Sequence, residues 1–452
     1  MDANTENATS AAAQPGGADP GLARAYRGYI LALVLIGFAL NFVDRQIVSV
    51  LLQPIKNDLH LSDSALGFLS GLAFALFYAT LGLPIARQTD KGSRRIIMSL
   101  SIAVWSLMTT LCGFVQNTAQ LLLARFGVGI GEAGFTPAAM SILADYFPKE
   151  KRATAFAIAN IGPMLGLLLG FLIGSVALRY VGWRGAFMIA GAPGLLFAAV
   201  FFLTVREPSR GMSDGLLPAP QSPPPLIHSL PVLWNIRAYR FLMFACASFS
   251  FCSVGLSTWI PSFFVRSYGY LPANIALILA PILGIGGALG IFLGGYFADR
   301  LSRRDARWAL WLPACAALIA LPAAALTFVI HQPVVALALY GFTYFLASSY
   351  VAPAFSTIQI LVPLNVRATA TALVLFAVNL IGLGLGPQVV GILSDALTHR
   401  LGPEALRMAL ALSSILFVLP VLLFWAASRH LRLNTTSLKT SADTAVTTNF
   451  GP

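Results

Sequence analysis

Runs of about twenty apolar residues, broken by short polar clusters, recur from residue 28 to residue 428. Each run is long enough to cross the hydrocarbon of a bilayer as a helix. The apolar positions are continuous and do not alternate with polar ones. They therefore predict helical spans and not the strands of a barrel. Twelve spans are predicted, over 28–54, 64–86, 96–115, 119–146, 152–178, 185–205, 239–265, 273–298, 308–330, 333–361, 368–395 and 405–428. Between the sixth and seventh, residues 206–235 are rich in Pro and Ser and hold no long apolar run, which marks a linker. The expected organisation is a disordered tail over 1–27, a six-helix bundle over 28–206, a linker over 207–237, a second six-helix bundle over 238–430 and a disordered tail over 431–452. The fold class is an all-α integral membrane protein.

Composition agrees. The chain is 57% hydrophobic and only 10% charged, where soluble proteins carry roughly 25%. The formal net charge of +12 would suit nucleic acid if it were spread evenly. It is not. Of the 29 Lys and Arg, 21 fall on the side of the tails and linker, six on the other side, and two inside spans. The positive-inside rule accounts for this excess and places both termini and the linker in the cytoplasm. No nucleic-acid partner is needed. The N-terminal segment lacks the basic start and apolar core of a signal peptide. The four cysteines, Cys112, Cys246, Cys252 and Cys315, all lie in apolar segments without metal-ligand spacing, so no metal and no cofactor are expected.

The two halves repeat. "ARQTDKGSRR" at 86–95 matches "GYFADRLSRR" at 295–304, and "PKEKRATAFA" at 148–157 matches "PLNVRATATA" at 363–372. Each pair occupies the same loop of its half. Duplicated halves around a central site are a transporter architecture, with access alternating as one half rocks on the other.

On these motifs the chain resembles the Major Facilitator Superfamily over nearly its whole length. The first copy departs from the family pattern, with Ala86 and Ser93 at positions that are usually Gly. The resemblance implies a cytoplasmic latch between the halves, built on Asp90 and Asp299. Arg94, Arg95, Arg303, Arg304, Arg152 and Arg367 would assist it. Span 4 carries R-x-x-x-G-x-G-E-A as Arg125, Gly129, Gly131, Glu132 and Ala133, and span 1 carries N-x-x-D-R ending at Asp44 and Arg45. These look most like bacterial relatives of the Spinster proteins, which export sphingosine-1-phosphate or lysophospholipids. Organic-anion symporters of the same superfamily share both motifs. The resemblance implies a multi-pass plasma-membrane protein, of a bacterial inner membrane, acting as a monomer.

Asp44, Arg45, Arg125 and Glu132 are the deep charges. Each is expected to cost about 2.5–3.5 kcal/mol at mid-bilayer, which marks the group for function. Arg125 and Glu132 are seven apart, on one helix face and separated by about 10.5 Å along the axis. In the family fold spans 1 and 4 line one cavity, so Asp44 or Arg45 is expected to meet Arg125 or Glu132 across it. Burial and a neighbouring arginine act oppositely on a carboxyl. Glu132 is therefore the first candidate for a proton carrier, on a cavity face, with Asp44 second. Of Arg45 and Arg125, one is expected to hold an anionic head group while the other competes for Glu132.

Spans 7–12 hold no deep ionisable residue. Their hydroxyls and amides, Ser250, Ser253, Thr258 and Asn379 among them, read more readily as packing than as ligand contacts. A charged first half facing an apolar second half suits an anionic amphiphile. The expected function is proton-coupled transport of a lysophospholipid or sphingosine-1-phosphate-like lipid. The alternatives are a proton symporter of a small organic anion or sugar acid, and a passive lipid scramblase. An enzyme is not expected. "GLST" at 255–258 has no deep histidine to activate Ser257, "GIGEAG" at 129–134 follows no strand, and no Walker lysine motif is present. Glycines every four residues, Gly162 to Gly174 in span 5 and Gly286 to Gly294 in span 8, predict close helix contacts.

Overall fold

The computed structural model describes residues 20–209, 226–363 and 366–431, and all regular structure among them is helical. Span 1 is Pro20–Leu59. Span 2 comprises Asp63–Gly67, a π-helical turn Phe68–Leu72, and Ala73–Lys91. Span 3 is Arg94–Cys112, span 4 is Thr118–Glu132 with Phe135–Tyr146, span 5 is Lys149–Ala159 with Ile161–Tyr180, and span 6 is Gly182–Thr204. A short helix, Leu226–Asn235, precedes span 7, Arg237–Tyr268. Span 8 is Pro272–Ser302, span 9 is Trp308–Val329, and span 10 is Pro333–Ser348 with Val351–Leu361. Span 11 comprises Arg367–Ala377, a second π-helical stretch Val378–Leu385, and Gly386–Leu401. Span 12 begins at Ala405 and runs to 431.

By length and hydropathy, eleven helical segments among the described residues can cross a membrane. The last, Thr369–Leu431, is 63 residues long and turns at Gly402, whose φ of 53° only glycine adopts readily. It therefore crosses twice, and the spans number twelve.

Two differences from the sequence reading concern the N-terminal end and the linker. Residues 20–27, expected in the N-terminal tail, are helical, because Tyr26 anchors them. Its hydroxyl donates to the Thr204 carbonyl at 3.0 Å and accepts from the Arg206 amide at 2.8 Å. Residues 1–19 and 432–452, the rest of the expected tails, lie outside the described residues. The linker holds a helix where none was expected, since Pro231 and its shortness masked an amphipathic pattern. Leu233 is buried while Leu230, Val232 and Trp234 are exposed.

The halves meet along two seams. Span 5 packs on span 8, where Ser175 Oγ donates to the Ala273 carbonyl at 2.6 Å. Span 2 packs on span 11, where the two π-helical segments face each other. A Cβ at Gly71 would sit 2.6 Å from the Gly384 carbonyl. The glycine stripe of span 5 packs inside its own half, against Leu35, Ala39 and Phe42 of span 1. In span 8, Gly290 and Gly294 pack on span 10, while Gly286 meets nothing. The stripes thus bind each half together, and the halves touch along the 5–8 and 2–11 seams.

Candidate functional site

Span 4 is drawn tightly against its neighbours at its G-x-G-E-A motif. A Cβ at Gly129 would stand 2.8 Å from the Phe74 carbonyl of span 2, and one at Gly131 would stand 2.5 Å from the Trp105 amide nitrogen of span 3. With no Cβ on either side, the two backbones close in and Glu132 is sealed between them, fully buried.

The Arg45 Nε donates to Glu132 Oε2 at 2.6 Å. Asn41, one turn earlier on span 1, faces the same carboxylate. The Arg45 guanidinium also lies over three rings, at 5.2 Å from Phe42, 4.8 Å from Phe74 and 4.8 Å from Tyr78. Cation–π contacts of this kind strengthen when desolvated. Asp44 faces Thr109 of span 3 and the charges of Glu132 and Arg125, and its Oδ1 makes no hydrogen bond. Arg125 is 1% exposed, and its Nε and Nη1 have no hydrogen-bond partner. Its guanidinium sits 5.7 Å from the Phe74 ring.

A cavity of about 280 Å³ adjoins this cluster. The first half lines it with Arg45, Gln46, Ser49, Ser70 and Arg125. Glu132 and Asp44 do not line it. The expectation of Glu132 on a cavity face is corrected here: both carboxyls lie behind the arginines, because span 4 turns its glycine edge toward spans 2 and 3. The second-half wall also differs from the apolar surface expected. It carries Ser250, Ser253, Ser257, Thr258, Ser348 and Asn379, interleaved with Val254, Leu283 and Ile291. Helical hydroxyls that sequence alone reads as packing are gathered here on one face.

A second charge cluster, not anticipated, ties the halves together at the end opposite the linker. Asp63, at the start of span 2, is 1% exposed. Arg266 of span 7 donates to both its oxygens, at 2.7 and 2.8 Å, Lys56 donates at 2.5 Å, and Ser394 of span 11 at 2.6 Å. Asp395 of span 11 accepts from the backbone amides of Asp63 and Ser64 at 2.9 and 2.8 Å, and from the Ser64 hydroxyl at 2.6 Å. A carboxylate from one half thus caps a helix of the other, where the exposed N–H groups and the helix dipole favour negative charge. The signal available in the sequence was the triplet Leu-Ser-Asp, present at 61–63 and again at 393–395.

At the linker end, the described contacts of Arg94 and Arg95 lie within the first half. Arg94 is buried within the first half, where it binds Asp145, Glu207 Oε1 at 2.8 Å and the Pro208 carbonyl at 2.7 Å. Glu207 also accepts from the Ser93 hydroxyl and the Arg95 amide, each at 2.8 Å. Burial alone would raise the Glu207 carboxyl. The Arg95 amide, the Arg94 guanidinium and the Ser93 hydroxyl outweigh it and hold the group below its ordinary value. Arg95 lies 4.4 Å from the Phe202 ring. Asp299, Arg303 and Arg304 are exposed, Arg152 is half-buried, and Arg367 Nε donates to the Val362 carbonyl at 3.4 Å in its own half. The Asp90 side chain lies outside the described residues. The halves are therefore tied at the end opposite the linker, while Asp299, Arg303 and Arg304 of the second half are exposed at the linker end.

Twelve helices in two repeated halves, a central cavity walled by both, and a lock at one end define a membrane transporter. The chain belongs to the Major Facilitator Superfamily, whose family model matches residues 34–387. It is 36% identical over 404 residues to an MFS-type efflux pump of Mycolicibacterium smegmatis, covering 88% of this chain and 92% of that one. It is 27% identical to the sphingosine-1-phosphate transporter of Danio rerio, covering 86% and 80%. Among solved structures, a bacterial homologue of the human lysosomal transporter Spinster, inward-facing and unoccupied, superposes with a TM-score of 0.85 at 30% identity, covering 92% of this chain and 99% of that one. The chain is thus a multi-pass membrane transporter related to the Spinster proteins, and not an enzyme.

Proposed function

We propose that the protein is a proton-coupled, alternating-access transporter of an anionic amphiphile with a phosphate head group, of the lysophospholipid or sphingosine-1-phosphate kind. One observation carries this reading. Two arginines share the cavity wall; Arg45 is tied by an ion pair to Glu132, while Arg125 keeps donors without a hydrogen bond. A phosphate entering the cavity meets Arg125 first. Protonation of Glu132 releases Arg45, which then completes a two-arginine clamp suited to the oxygens of a phosphate. Loss of the proton recaptures Arg45 and weakens the clamp. Proton and anion therefore load together, and the linkage is reciprocal. Asp44, behind Arg125, is the second proton site.

The hydroxyls of Ser250, Ser253 and Ser257 and the amide of Asn379 face the arginines across the cavity. They suit the polar backbone that joins phosphate to tail in such lipids. The linker end is the cytoplasmic one, by the excess of basic residues there, so the lock at Asp63–Arg266 describes an inward-facing state. Asp90 and Asp299, with the nearby arginines, close the cytoplasmic end when that lock opens. The protein works as a monomer in the plasma membrane.

The same hydroxyl wall favours a second reading, a small polyhydroxy acid in place of a lipid. Reconstituted liposomes under an imposed pH gradient separate the two. Uptake of lysophospholipids that rises with tail length and collapses the gradient supports the lipid reading. Uptake of a short sugar acid alone supports the second. Lipid movement that ignores the gradient makes the protein a scramblase and defeats both.

A further inference from the structure

A second groove is remote from the central cavity. It lies between spans 9 and 12 on the outer surface of the second half, with a volume of about 490 Å³. Two helical stripes run along it in opposite chain directions. On span 9 the stripe reads Arg307, Trp311, Cys315 and Leu318, and on span 12 it reads Arg429, Trp425 and Leu422. Spacings of three and four keep each stripe on one helix face. Both stripes start with an arginine at the linker end, continue with a tryptophan, and end in apolar side chains.

The walls are fixed. Trp311 Nε1 donates to Ser428 Oγ at 2.9 Å and so ties the two helices together. Trp308 packs edge-on against Trp311 at 5.5 Å. Ala314 lines the groove between the two walls. Cys315, Leu318, Leu422 and Trp425 are all exposed.

On each helix an arginine stands beside a groove tryptophan. Arg307 lies 5.7 Å from the Trp311 ring and Arg429 lies 4.9 Å from the Trp425 ring. The Nε of Arg307 is buried and makes no hydrogen bond. The nearest acid in sequence, Asp305, accepts from the Arg307 backbone amide at 2.9 Å. Exposed Arg303 and Arg304 add to the positive field at this end.

We propose that this groove is a binding site for an anionic phospholipid of the surrounding bilayer, distinct from the transport cavity. The phosphate sits between Arg307 and Arg429, the glycerol backbone lies at the level of the tryptophans, and one acyl chain runs over Ala314 toward Leu318 and Leu422. The order of charge, aromatic and apolar surface along both helices matches the order of the lipid's own parts. Tryptophans favour the interfacial level, and basic residues between spans favour anionic head groups. A zwitterionic lipid would present its own cation to the same two arginines. The groove holds bound lipid during transport, and stays apart from the 5–8 and 2–11 seams.

Tryptophan fluorescence in nanodiscs tests this with the full chain. The nanodiscs are phosphatidylcholine doped with a low fraction of either dibromo-phosphatidylglycerol or dibromo-phosphatidylcholine. The expected result is preferential quenching by the brominated anionic lipid, with an apparent preference on the order of tenfold. Unbrominated phosphatidylglycerol should reverse it, and excess glycerol phosphate in solution should not. The R307Q/R429Q variant should quench equally with both lipids, while R307K/R429K keeps most of the preference and shows that the fold survives. Replacing Trp308, Trp311 and Trp425 with Phe should remove the preferential component. Equal quenching by both lipids in the unaltered protein overturns the proposal. So does a preference that survives R307Q/R429Q or the loss of the three tryptophans, or one that glycerol phosphate reverses.

Discussion

Arg45 and Glu132, 87 residues apart in sequence, form a buried ion pair between spans 1 and 4, with Nε and Oε2 separated by 2.6 Å. Arg125, on the same helix as Glu132, shares the cavity wall with Arg45 but not its partner. This inequality between two arginines is the centre of the proposed mechanism. It makes the second anion-binding group conditional on a proton.

The pair should show itself in stability. Removing one partner of a buried pair strands a charge and costs about 3–5 kcal/mol, while replacing both with neutral groups is far milder. Arg45→Gln should therefore lower the melting temperature in detergent markedly. Arg45→Gln combined with Glu132→Gln should recover most of the loss. Equal losses in the single and double variants would mean that the two residues do not hold each other.

Arg125 should dominate affinity for the anion. Hydrogen bonds to a charged group contribute about 1.5–3 kcal/mol, so Arg125→Ala should weaken lysophospholipid binding by about tenfold to a hundredfold. Arg125→Lys should restore part of this, since an ammonium keeps the charge and loses the planar fork. Calorimetric titration of the purified protein measures both. Unchanged affinity in Arg125→Ala would remove it from the site.

Much of this architecture is legible in the sequence, for physical reasons that also set the limits. Apolar run length fixes a span, so the spans emerge directly. A charge inside such a run is expensive, so Asp44, Arg45, Arg125 and Glu132 stand out. Which of them pair is not legible. It depends on how far span 4 is rotated, and the contacts of Gly129 with Phe74 and of Gly131 with Trp105 decide that. Asp63 and Asp395 escaped notice because charges at span ends are ordinary. Ser250, Ser253 and Ser257 look like any helical serine until three dimensions gather them at the cavity. The π-helical turns at Phe68–Leu72 and Val378–Leu385 carry no composition signature.

The lock at the far end sets the conformational balance. Asp63→Asn removes the negative charge that Arg266 and Lys56 share. The population should shift toward states open at that end, because the Arg266 contacts join the two halves there. Spin labels introduced through His60→Cys and His399→Cys report the opening as a longer inter-label distance. Distance distributions unchanged by Asp63→Asn would show that the seams alone hold the halves.

The clasp at the linker end should give an acid-sensitive contribution to stability. The Glu207 carboxyl is held below its ordinary value in the folded protein, whereas the unfolded chain titrates near about 4.3. A depressed carboxyl stabilises the fold at pH above the unfolded value, and this contribution fades as pH falls through the folded one. Melting temperature should therefore fall with acid more steeply in the unaltered protein than in Glu207→Gln. Parallel acid limbs would show that the clasp does not titrate.

The most direct test is proton uptake on anion binding, followed with a pH indicator in weakly buffered detergent solution. The mechanism predicts that adding a lysophospholipid draws protons from solution, and that Glu132→Gln binds the lipid with little or no uptake. Binding without uptake in the unaltered protein, or undiminished uptake in Glu132→Gln, would contradict the coupling of Arg45 to Glu132 protonation.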